Sequence, residues 1–242
     1  MARVIIIGAG PTGLSTAYHL EQLGFSDYKI FEKDRTIGGL CRSIEQDGFI
    51  FDYTGHLLHS NDPYFTGLLS RIVGLDAFNK INRKSFIYSN NIYTHFPFQS
   101  NLYGLPIEVI ADCIEGFVLR PKKEKSVKSF YDWATQKFGT GFVKHFFLPY
   151  QQKLFAYDIK KVSASWTGRF VPDTFLQEII KSAIQPPEKS TAGYNANFLY
   201  PKNNGINHWV TKFAQTIKQP IKTNYCVESV DIKNKIVTFT NG

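Results

Sequence analysis

The chain has 242 residues, of which 43% are hydrophobic and 20% are charged, and its net charge is +8. This composition excludes a disordered chain and predicts a globular protein with one large domain or two interleaved domains. No apolar run approaches the roughly 20 residues that cross a bilayer, so we expect no transmembrane segment. The three cysteines lie far apart without metal-ligand spacing, so we expect no metal site, no disulfides and a cytoplasmic location.

The excess of basic residues favours small anionic partners such as phosphates and nucleotides. We expect no nucleic-acid partner, because no stripe of Arg and Lys interleaves with aromatic residues in the way that nucleic-acid binding needs. Aromatic residues reach 15% of the chain, which suits both a packed core and a cavity that holds a flat ligand.

The chain opens on a motif for binding a nucleotide. Val4–Ile7 is a β-branched run without alternation, which predicts a strand buried on both faces, as in a parallel sheet. The turn that follows carries Gly8, Gly10 and Gly13, and a helical pattern comes next. In a dinucleotide-binding turn the first glycine permits the bend, the second lets a pyrophosphate approach, and the third lets helix and strand pack closely. The helix N-terminus would face the phosphates.

An acidic residue and a second glycine pair complete the motif. The short strand Tyr28–Phe31 ends at Glu32, whose carboxylate could accept hydrogen bonds from a ribose. Because the residue is Glu and not Arg, FAD or NAD is favoured over a cofactor with a 2′-phosphate. Gly38 and Gly39 follow shortly after the acid, and this spacing resembles that of the large flavoprotein superfamily that contains the amine oxidases. We therefore predict that Gly8, Gly10, Gly13, Glu32, Gly38 and Gly39 bind FAD.

Further along the chain the pattern becomes mainly helical before it returns to strands. Turn residues predict hairpins around Asp47-Gly48 and around Ser89–Asn91, and helical patterns run from Leu105 to about Ile184. We predict an α/β fold, with a Rossmann-like FAD-binding parallel sheet and a mainly helical inserted substrate domain. The expected division is 1–80 for the first part of the FAD domain, 81–198 for the substrate domain with its β-hairpin, and 199–242 for an incomplete return. The turn pair Asn241-Gly242 predicts that the chain is a truncated part of a longer protein.

The motifs taken together resemble a known family. They continue in chain order as Gly38-Gly39-Leu40, Gly48-Phe49-Ile50-Phe51-Asp52, Gly55-His56, Phe96-Pro97-Phe98-Gln99-Ser100-Asn101, Pro149-Tyr150, Trp166-x-Gly168, and Tyr200-Pro201 with Gly205. This series resembles the UDP-galactopyranose mutase family, within the wider flavoprotein group that also holds protoporphyrinogen oxidase and the amine oxidases. The resemblance implies a flavoenzyme acting on a nucleotide-linked sugar. In that chemistry reduced FAD attacks the anomeric carbon of UDP-galactose, and NAD(P)H is a possible flavin reductant.

The resemblance also implies roles for single residues. His56 and Arg83 match positions near the reactive flavin, Phe98 and Gln99 match positions that line the substrate pocket, and Arg169 matches an arginine that holds the diphosphate. Arg169 lies one place earlier than the family pattern, which on a helix is a turn of about 100°. Three other family positions are changed here, to Phe96, Gln151 and Phe155.

Two other functions remain open at this point. One is an FAD-dependent oxidase or dehydrogenase of the amine oxidase or protoporphyrinogen oxidase type, because the aromatic insertion suits such substrates as well as it suits uridine. The other is an inactive fragment or interaction module that keeps the fold without the cofactor. A small-molecule substrate is expected for either enzyme.

Overall fold

The structure is a computed structural model, and it describes residues 3–121, 127–186 and 196–240. The strands are β1 (Val4–Ile7), β2 (Tyr28–Phe31), β3 (Ser43–Gln46), β4 (Phe49–Asp52), β5 (Phe78–Asn82), β6 (Phe86–Ser89), β7 (Ile92–His95), β8 (Asn197–Pro201), β9 (Ile221–Lys222), β10 (Val227–Asp231) and β11 (Ile236–Phe239). The α-helices are α1 (Pro11–Gln22), α2 (Pro63–Ile72), α3 (Ile107–Val118), α4 (Phe130–Phe142), α5 (Leu148–Phe155), α6 (Thr167–Phe170), α7 (Leu176–Ile184) and α8 (Asn207–Ala214).

The chain divides into two compact units. Unit 1 comprises Met1–Ile81 and Asn197–Gly242, and unit 2 comprises Asn82–Ala196. Unit 1 holds the parallel sheet, and unit 2 holds α3 to α7 with the hairpin of β6 and β7. The predicted α/β class, with a Rossmann-like sheet and a mainly helical insertion, is confirmed. In the part of the chain that the structure describes, no helix has the length and apolar character needed to cross a membrane.

The sheet of unit 1 has the strand order β1-β2-β9, and all three strands are parallel. Ile6 of β1 lies opposite Ile30 of β2, and both are buried against Leu14 of α1 in one apolar cluster. The prediction that β1 is buried on both faces is wrong, because Ile5 and Ile7 are 37% and 53% exposed. Among the described residues β1 is an edge strand, and α1 covers the face that carries Ile6, so the alternate residues of β1 remain accessible.

A network around Asp52 fixes the hairpin of β3 and β4 to the start of α8. One oxygen of Asp52, Oδ1, accepts hydrogen bonds from Ser43 Oγ at 2.7 Å and from the Ile206 backbone N–H at 3.1 Å. The other oxygen, Oδ2, accepts from the Tyr200 hydroxyl at 2.8 Å. The chain passes so close at Gly205 that a Cβ there would overlap Ser43 Oγ and lie 2.7 Å from Asp52 Oδ1. These contacts, together with the φ of +61° at Gly205, favour glycine at this position.

This network predicts that stability changes at alkaline pH. Burial, followed by the hydrogen bond to Asp52, raises the pKa of Tyr200 to about 12. A tyrosine in the unfolded chain ionises near pH 10. The raised pKa of Tyr200 therefore contributes to the free energy of unfolding. This contribution is complete below pH 10 and is lost as pH rises toward 12. Tyr200→Phe should lower the free energy of unfolding by about 1.5 kcal/mol at pH 8, where the hydrogen bond to a carboxylate is intact.

The measurement is urea unfolding of wild type and Tyr200→Phe at several pH values between 8 and 11. We expect the difference between the two proteins to shrink as pH rises above 10. Tyr157→Phe, which removes the hydroxyl of an exposed tyrosine in unit 2, is the control and should show no such trend. A difference that stays constant with pH would contradict the role given to the Tyr200 proton.

Unit 2 is built around close helix packing and an aromatic core. A Cβ at Gly139 would overlap the carbonyl oxygen of Gly116, and one at Gly141 would overlap that of Asp112, so α4 lies directly against α3. Gly139 has φ +86°, which kinks α4, and a π-helical turn (Val143–Phe147) follows before α5 begins. Fully buried phenylalanines fill the core beneath, namely Phe98, Phe130, Phe138, Phe142 and Phe147.

Candidate cofactor and substrate sites

The glycine turn of unit 1 has the shape that a diphosphate needs. Gly8 has φ +95°, and its backbone N–H donates to the Phe31 carbonyl at 2.7 Å, which ties the turn to β2. A Cβ at Gly13 would overlap the Gly8 carbonyl oxygen, so only glycine allows α1 to start this close to β1. Gly10 caps α1 without a side-chain hydrogen bond, and the first turn carries no acidic residue. The N–H groups and positive dipole end of α1 therefore remain available for an anion.

Glu32 closes this turn from the end of β2. The side chain is only 6% exposed, and its Oε2 accepts a hydrogen bond from the Ala9 backbone N–H at 2.8 Å. Its Oε1 accepts from the Asp34 backbone N–H at 3.0 Å. No ion pair holds Glu32 among the described residues. Each carboxylate oxygen can accept a further hydrogen bond, so the group retains capacity for a ribose hydroxyl.

The second glycine pair lies directly against the first turn. The Gly38 N–H donates to the Ala9 carbonyl at 2.9 Å, and a Cβ at Gly10 would lie 3.7 Å from Gly39 Cα. Gly38 and Gly39 have φ values of +112° and +55°, which favour glycine. The structure therefore brings all six predicted cofactor-binding residues together around one cradle. A chain of glycine backbone around an uncapped helix start fits the diphosphate of FAD.

The sequence analysis missed Arg42, which clamps the loop between Glu32 and Gly39. Its Nε donates to the Gly39 carbonyl at 2.8 Å, and its Nη2 lies 3.0 Å from Asp34 Oδ2. The guanidinium also lies over the Tyr53 ring, 4.6 Å from the ring centre. The sequence shows that Arg42 follows Gly39 by three residues, but it does not show that the loop folds back to bring Arg42 next to Asp34.

His56 lies beside the same loop. Its Nε2 is 2.8 Å from the Leu40 carbonyl oxygen and 2.9 Å from Thr54 Oγ1. Because a carbonyl oxygen can only accept, Nε2 carries the proton in the arrangement that satisfies this contact. The backbone of Leu40 directly follows the second glycine pair, so His56 is placed next to the cradle. Its role beside a flavin stays a prediction.

Unit 2 contains a cavity of about 650 Å³ with an aromatic lining. This volume is within the range of small-molecule sites. Its lining consists of Arg83, Phe96, Gln99, Phe146, Phe147, Tyr150, Gln151, Leu154, Phe155, Val162, Trp166, Phe170, Val171 and Pro172. The cavity is therefore mostly apolar, with two amides and one cation among the described side chains.

Arg83 is oriented by neighbours of its own unit. Its Nε donates to Ser85 Oγ at 2.7 Å, and the guanidinium lies 5.6 Å from the centre of the Phe96 ring. No carboxylate among the described residues forms an ion pair with it. Gln99 is buried and donates from Nε2 to the Pro172 carbonyl at 2.7 Å. Both residues line the cavity. The position near the flavin implied for Arg83 and the substrate contact implied for Gln99 stay predictions.

The other two predicted substrate-binding residues are Phe98 and Arg169. Phe98 is fully buried and stacks on Phe146 with 4.8 Å between ring centres, so it supports a lining residue from behind. Its role in binding substrate stays a prediction. The backbone of Arg169 belongs to α6, but its side chain lies outside the described residues. Gln151, which the sequence analysis noted only as a departure, lines the cavity, and its buried Oε1 has no hydrogen-bond partner among the described residues.

Comparisons with known proteins agree with this geometry. The family model of the NAD(P)-binding Rossmann-like domain matches residues 6–72. The chain is 30% identical over 115 residues to protoporphyrinogen oxidase 2, chloroplastic/mitochondrial, of Arabidopsis thaliana. The aligned region covers 46% of this chain and 21% of that protein. A crystal structure of reduced UDP-galactopyranose mutase superposes on 100% of this chain and 53% of its own, with a TM-score of 0.90 and 28% identity.

A structure of putrescine oxidase shows the same fold at greater distance, with a TM-score of 0.52 and 19% identity over 93% of this chain and 51% of that one. The chain thus spans about half the length of these solved structures. The predicted resemblance is confirmed, and so is FAD as the cofactor of this group. Residues 6–72 thus match the NAD(P)-binding Rossmann-like domain, and the chain has the fold of the flavoprotein superfamily that contains UDP-galactopyranose mutase, protoporphyrinogen oxidase and the amine oxidases.

Proposed function

We propose that the protein acts on a nucleotide-linked sugar, in the manner of a UDP-galactopyranose mutase, with FAD held by unit 1. The observation that carries the proposal is the cradle of unit 1. In it Gly10 packs against Gly39, and the Ala9 backbone N–H donates a hydrogen bond to Glu32. The whole of this chain superposes on a structure of UDP-galactopyranose mutase, and this similarity favours a mutase over the other flavoenzymes of the superfamily.

The residues of the cradle divide the work of binding. The free N–H groups at the start of α1 would hold the diphosphate, because they offer unpaired donors at the positive end of a helix dipole. The carboxylate of Glu32 would accept the ribose hydroxyls, while its present bonds to Ala9 and Asp34 keep it oriented. Arg42 would keep the loop from Glu32 to Gly39 closed over them. When bound, FAD would supply the redox-active ring, which is a nucleophile when reduced and an electron acceptor when oxidised.

The cavity of unit 2 offers the groups that a nucleotide-linked sugar requires. Arg83 presents a cation without a carboxylate partner among the described residues, which suits a phosphate. Phe96, Tyr150 and Trp166 supply flat apolar surface for a base. Gln99 and Gln151 supply amide groups that can pair with the polar edge of such a base. We propose that His56 acts near the flavin, and that NAD(P)H reduces it.

The test is isomerisation of UDP-galactofuranose by the FAD-loaded protein after reduction with dithionite, followed by chromatography of the products. We expect conversion to UDP-galactopyranose, and Arg83→Gln should lower it at least tenfold by removing a charge-assisted contact to phosphate, worth about 1.5–3 kcal/mol. Arg3→Gln, which changes an exposed arginine of unit 1, is the control and should be fully active. UDP binding without any isomerisation would remove the mutase assignment.

A second candidate is an oxidase or dehydrogenase of the same superfamily. The apolar lining favours it, because Phe96 and Phe155 add no hydrogen-bonding group to the cavity. The likeness to protoporphyrinogen oxidase 2 also supports it. In that case a reduced substrate should bleach the flavin absorbance, and oxygen should restore it. Bleaching by UDP-galactose is not expected under either function.

A further inference from the structure

Asp52, the last residue of β4, holds the start of α8 in place. Ile206 precedes α8 and provides no side-chain cap. The carboxylate of Asp52 replaces that cap, because its Oδ1 accepts a hydrogen bond from the Ile206 backbone N–H at 3.1 Å. Ser43 Oγ donates to the same oxygen at 2.7 Å and accepts from the Asn207 backbone N–H at 3.1 Å. The hairpin of β3 and β4 therefore determines where α8 begins, and the negative charge suits the positive end of the helix.

The side chain of Asn207, at the start of α8, lies beside the second glycine pair of the cradle. A Cβ at Gly38 would lie 3.4 Å from Asn207 Oδ1 and 3.0 Å from Arg42 Cγ, so these two side chains flank Gly38 on its Cβ side. Gly38 in turn donates its N–H to the Ala9 carbonyl at 2.9 Å. A shift of α8 would therefore take Asn207 away from Gly38 and loosen the loop that closes the cradle.

We propose that Asp52 is a positioning residue for FAD, which acts on Gly38 through the first residue of α8. The carboxylate is half-buried and forms no ion pair among the described residues. Without it, the Ile206 N–H loses its partner and Ser43 Oγ loses its fixed orientation, so α8 is free to shift. This role rests on FAD binding in the cradle, as in the proposed function, and is independent of the substrate. A failed mutase assay would therefore leave it intact.

Tyr200 separates this role from a general effect on folding. Its hydroxyl donates to the other oxygen of Asp52, Oδ2, at 2.8 Å, and it lies on β8 and not on α8. Tyr200→Phe therefore removes one hydrogen bond of the same carboxylate and leaves its bonds to Ser43 and Ile206 in place. We expect this variant to lose stability but to keep the affinity of the wild type for FAD.

The first experiment is isothermal titration of the full chain and its variants with FAD at fixed salt. Asp52→Ala should weaken binding about 3- to 30-fold, the range for residues that act on a site through others. Ser43→Ala, which breaks the link to Asn207 but keeps the charge, should weaken it in the same range. Asn207→Ala leaves the backbone of α8 intact and should also lose affinity, and combining it with Asp52→Ala should cost no more than Asp52→Ala alone. Asp52→Asn keeps an oxygen that can accept both bonds, so its affinity should stay within about twofold of the wild type.

A second measurement needs no cofactor. In hydrogen exchange of the FAD-free protein, the peptide 33–42, which contains the Gly38 N–H, should exchange faster in Asp52→Ala than in the wild type and in Tyr200→Phe. Unchanged exchange there, additive losses in the double variant, or equal losses of FAD affinity in Asp52→Ala and Tyr200→Phe would each overturn the role of Asp52 alone. Wild-type protein that binds no FAD would overturn the cofactor site and this role together.

Discussion

Glu32→Ala should weaken FAD binding by about 10- to 150-fold. The carboxylate is buried at the end of β2, and a charge-assisted hydrogen bond to the ribose is worth about 1.5–3 kcal/mol. The substitution also leaves the Ala9 N–H without its partner, so the cradle itself loses its shape. Isothermal titration with FAD at fixed salt gives the affinity, and thermal unfolding of the cofactor-free protein gives the cost to the fold.

Two companion variants separate the effects on binding and on folding. Glu32→Gln keeps one carbonyl oxygen as an acceptor and should lose less affinity than Glu32→Ala. Glu45→Ala removes an exposed carboxylate from β3 of the same unit and should bind FAD as the wild type does. If Glu32→Ala lowers thermal stability but leaves FAD affinity unchanged, Glu32 is a structural residue and the ribose is held elsewhere.

Gly13→Ala should destabilise unit 1 by about 3 kcal/mol and abolish measurable FAD binding. The added Cβ would overlap the Gly8 carbonyl oxygen, lie 3.0 Å from its carbonyl carbon, and lie 3.3 Å from Ile6 Cγ2. Two of these three atoms are backbone, which cannot rotate away, so α1 must move off β1. The same movement opens the turn that would hold the diphosphate. Thermal unfolding and flavin content after purification measure the two effects.

Gly67→Ala is the matched control for this substitution. Gly67 lies inside α2, and a Cβ there would meet no atom within 4 Å. Alanine is the better helix former, so this variant should be up to about 1 kcal/mol more stable than the wild type and keep its flavin. A Gly13→Ala protein with the flavin content of Gly67→Ala would show that α1 and β1 need not touch for the cofactor to bind.

The cradle was predictable because its parts are local in the chain. From Val4 to Gly39 a strand, a glycine turn, a helix and an acidic residue follow one another. The glycines are explained by backbone geometry and close packing, and the acidic residue by hydrogen bonding to a ribose. The face of β1 was predicted wrongly, since a β-branched run does not reveal which neighbours cover a strand. Ile5 and Ile7 are exposed because they lie on the face of β1 opposite to Ile6, which packs against α1.

The cavity of unit 2 was only partly predictable, because its lining comes from separate segments of the chain. The resemblance implies that Phe98 and Gln99 both contact substrate, which stays a prediction. In the structure Gln99 lines the cavity and Phe98 lies behind it. Adjacent residues point in different directions, and no motif states which of them faces inward. Arg42 escaped prediction for a similar reason, since its contacts with Asp34 and Tyr53 depend on how the loop folds back.

The π-helical turn from Val143 to Phe147 gives unit 2 a means of changing its ligand preference without rebuilding its core. A π turn accommodates one extra residue in a helix, and each residue advances the helical phase by about 100°. Deleting one residue here would rotate α5 by that angle and take Tyr150 and Gln151 away from the cavity, while α3 and α4 stayed in contact through their glycines. Single-residue insertions and deletions at this point are therefore a route by which related proteins could diverge in what they bind.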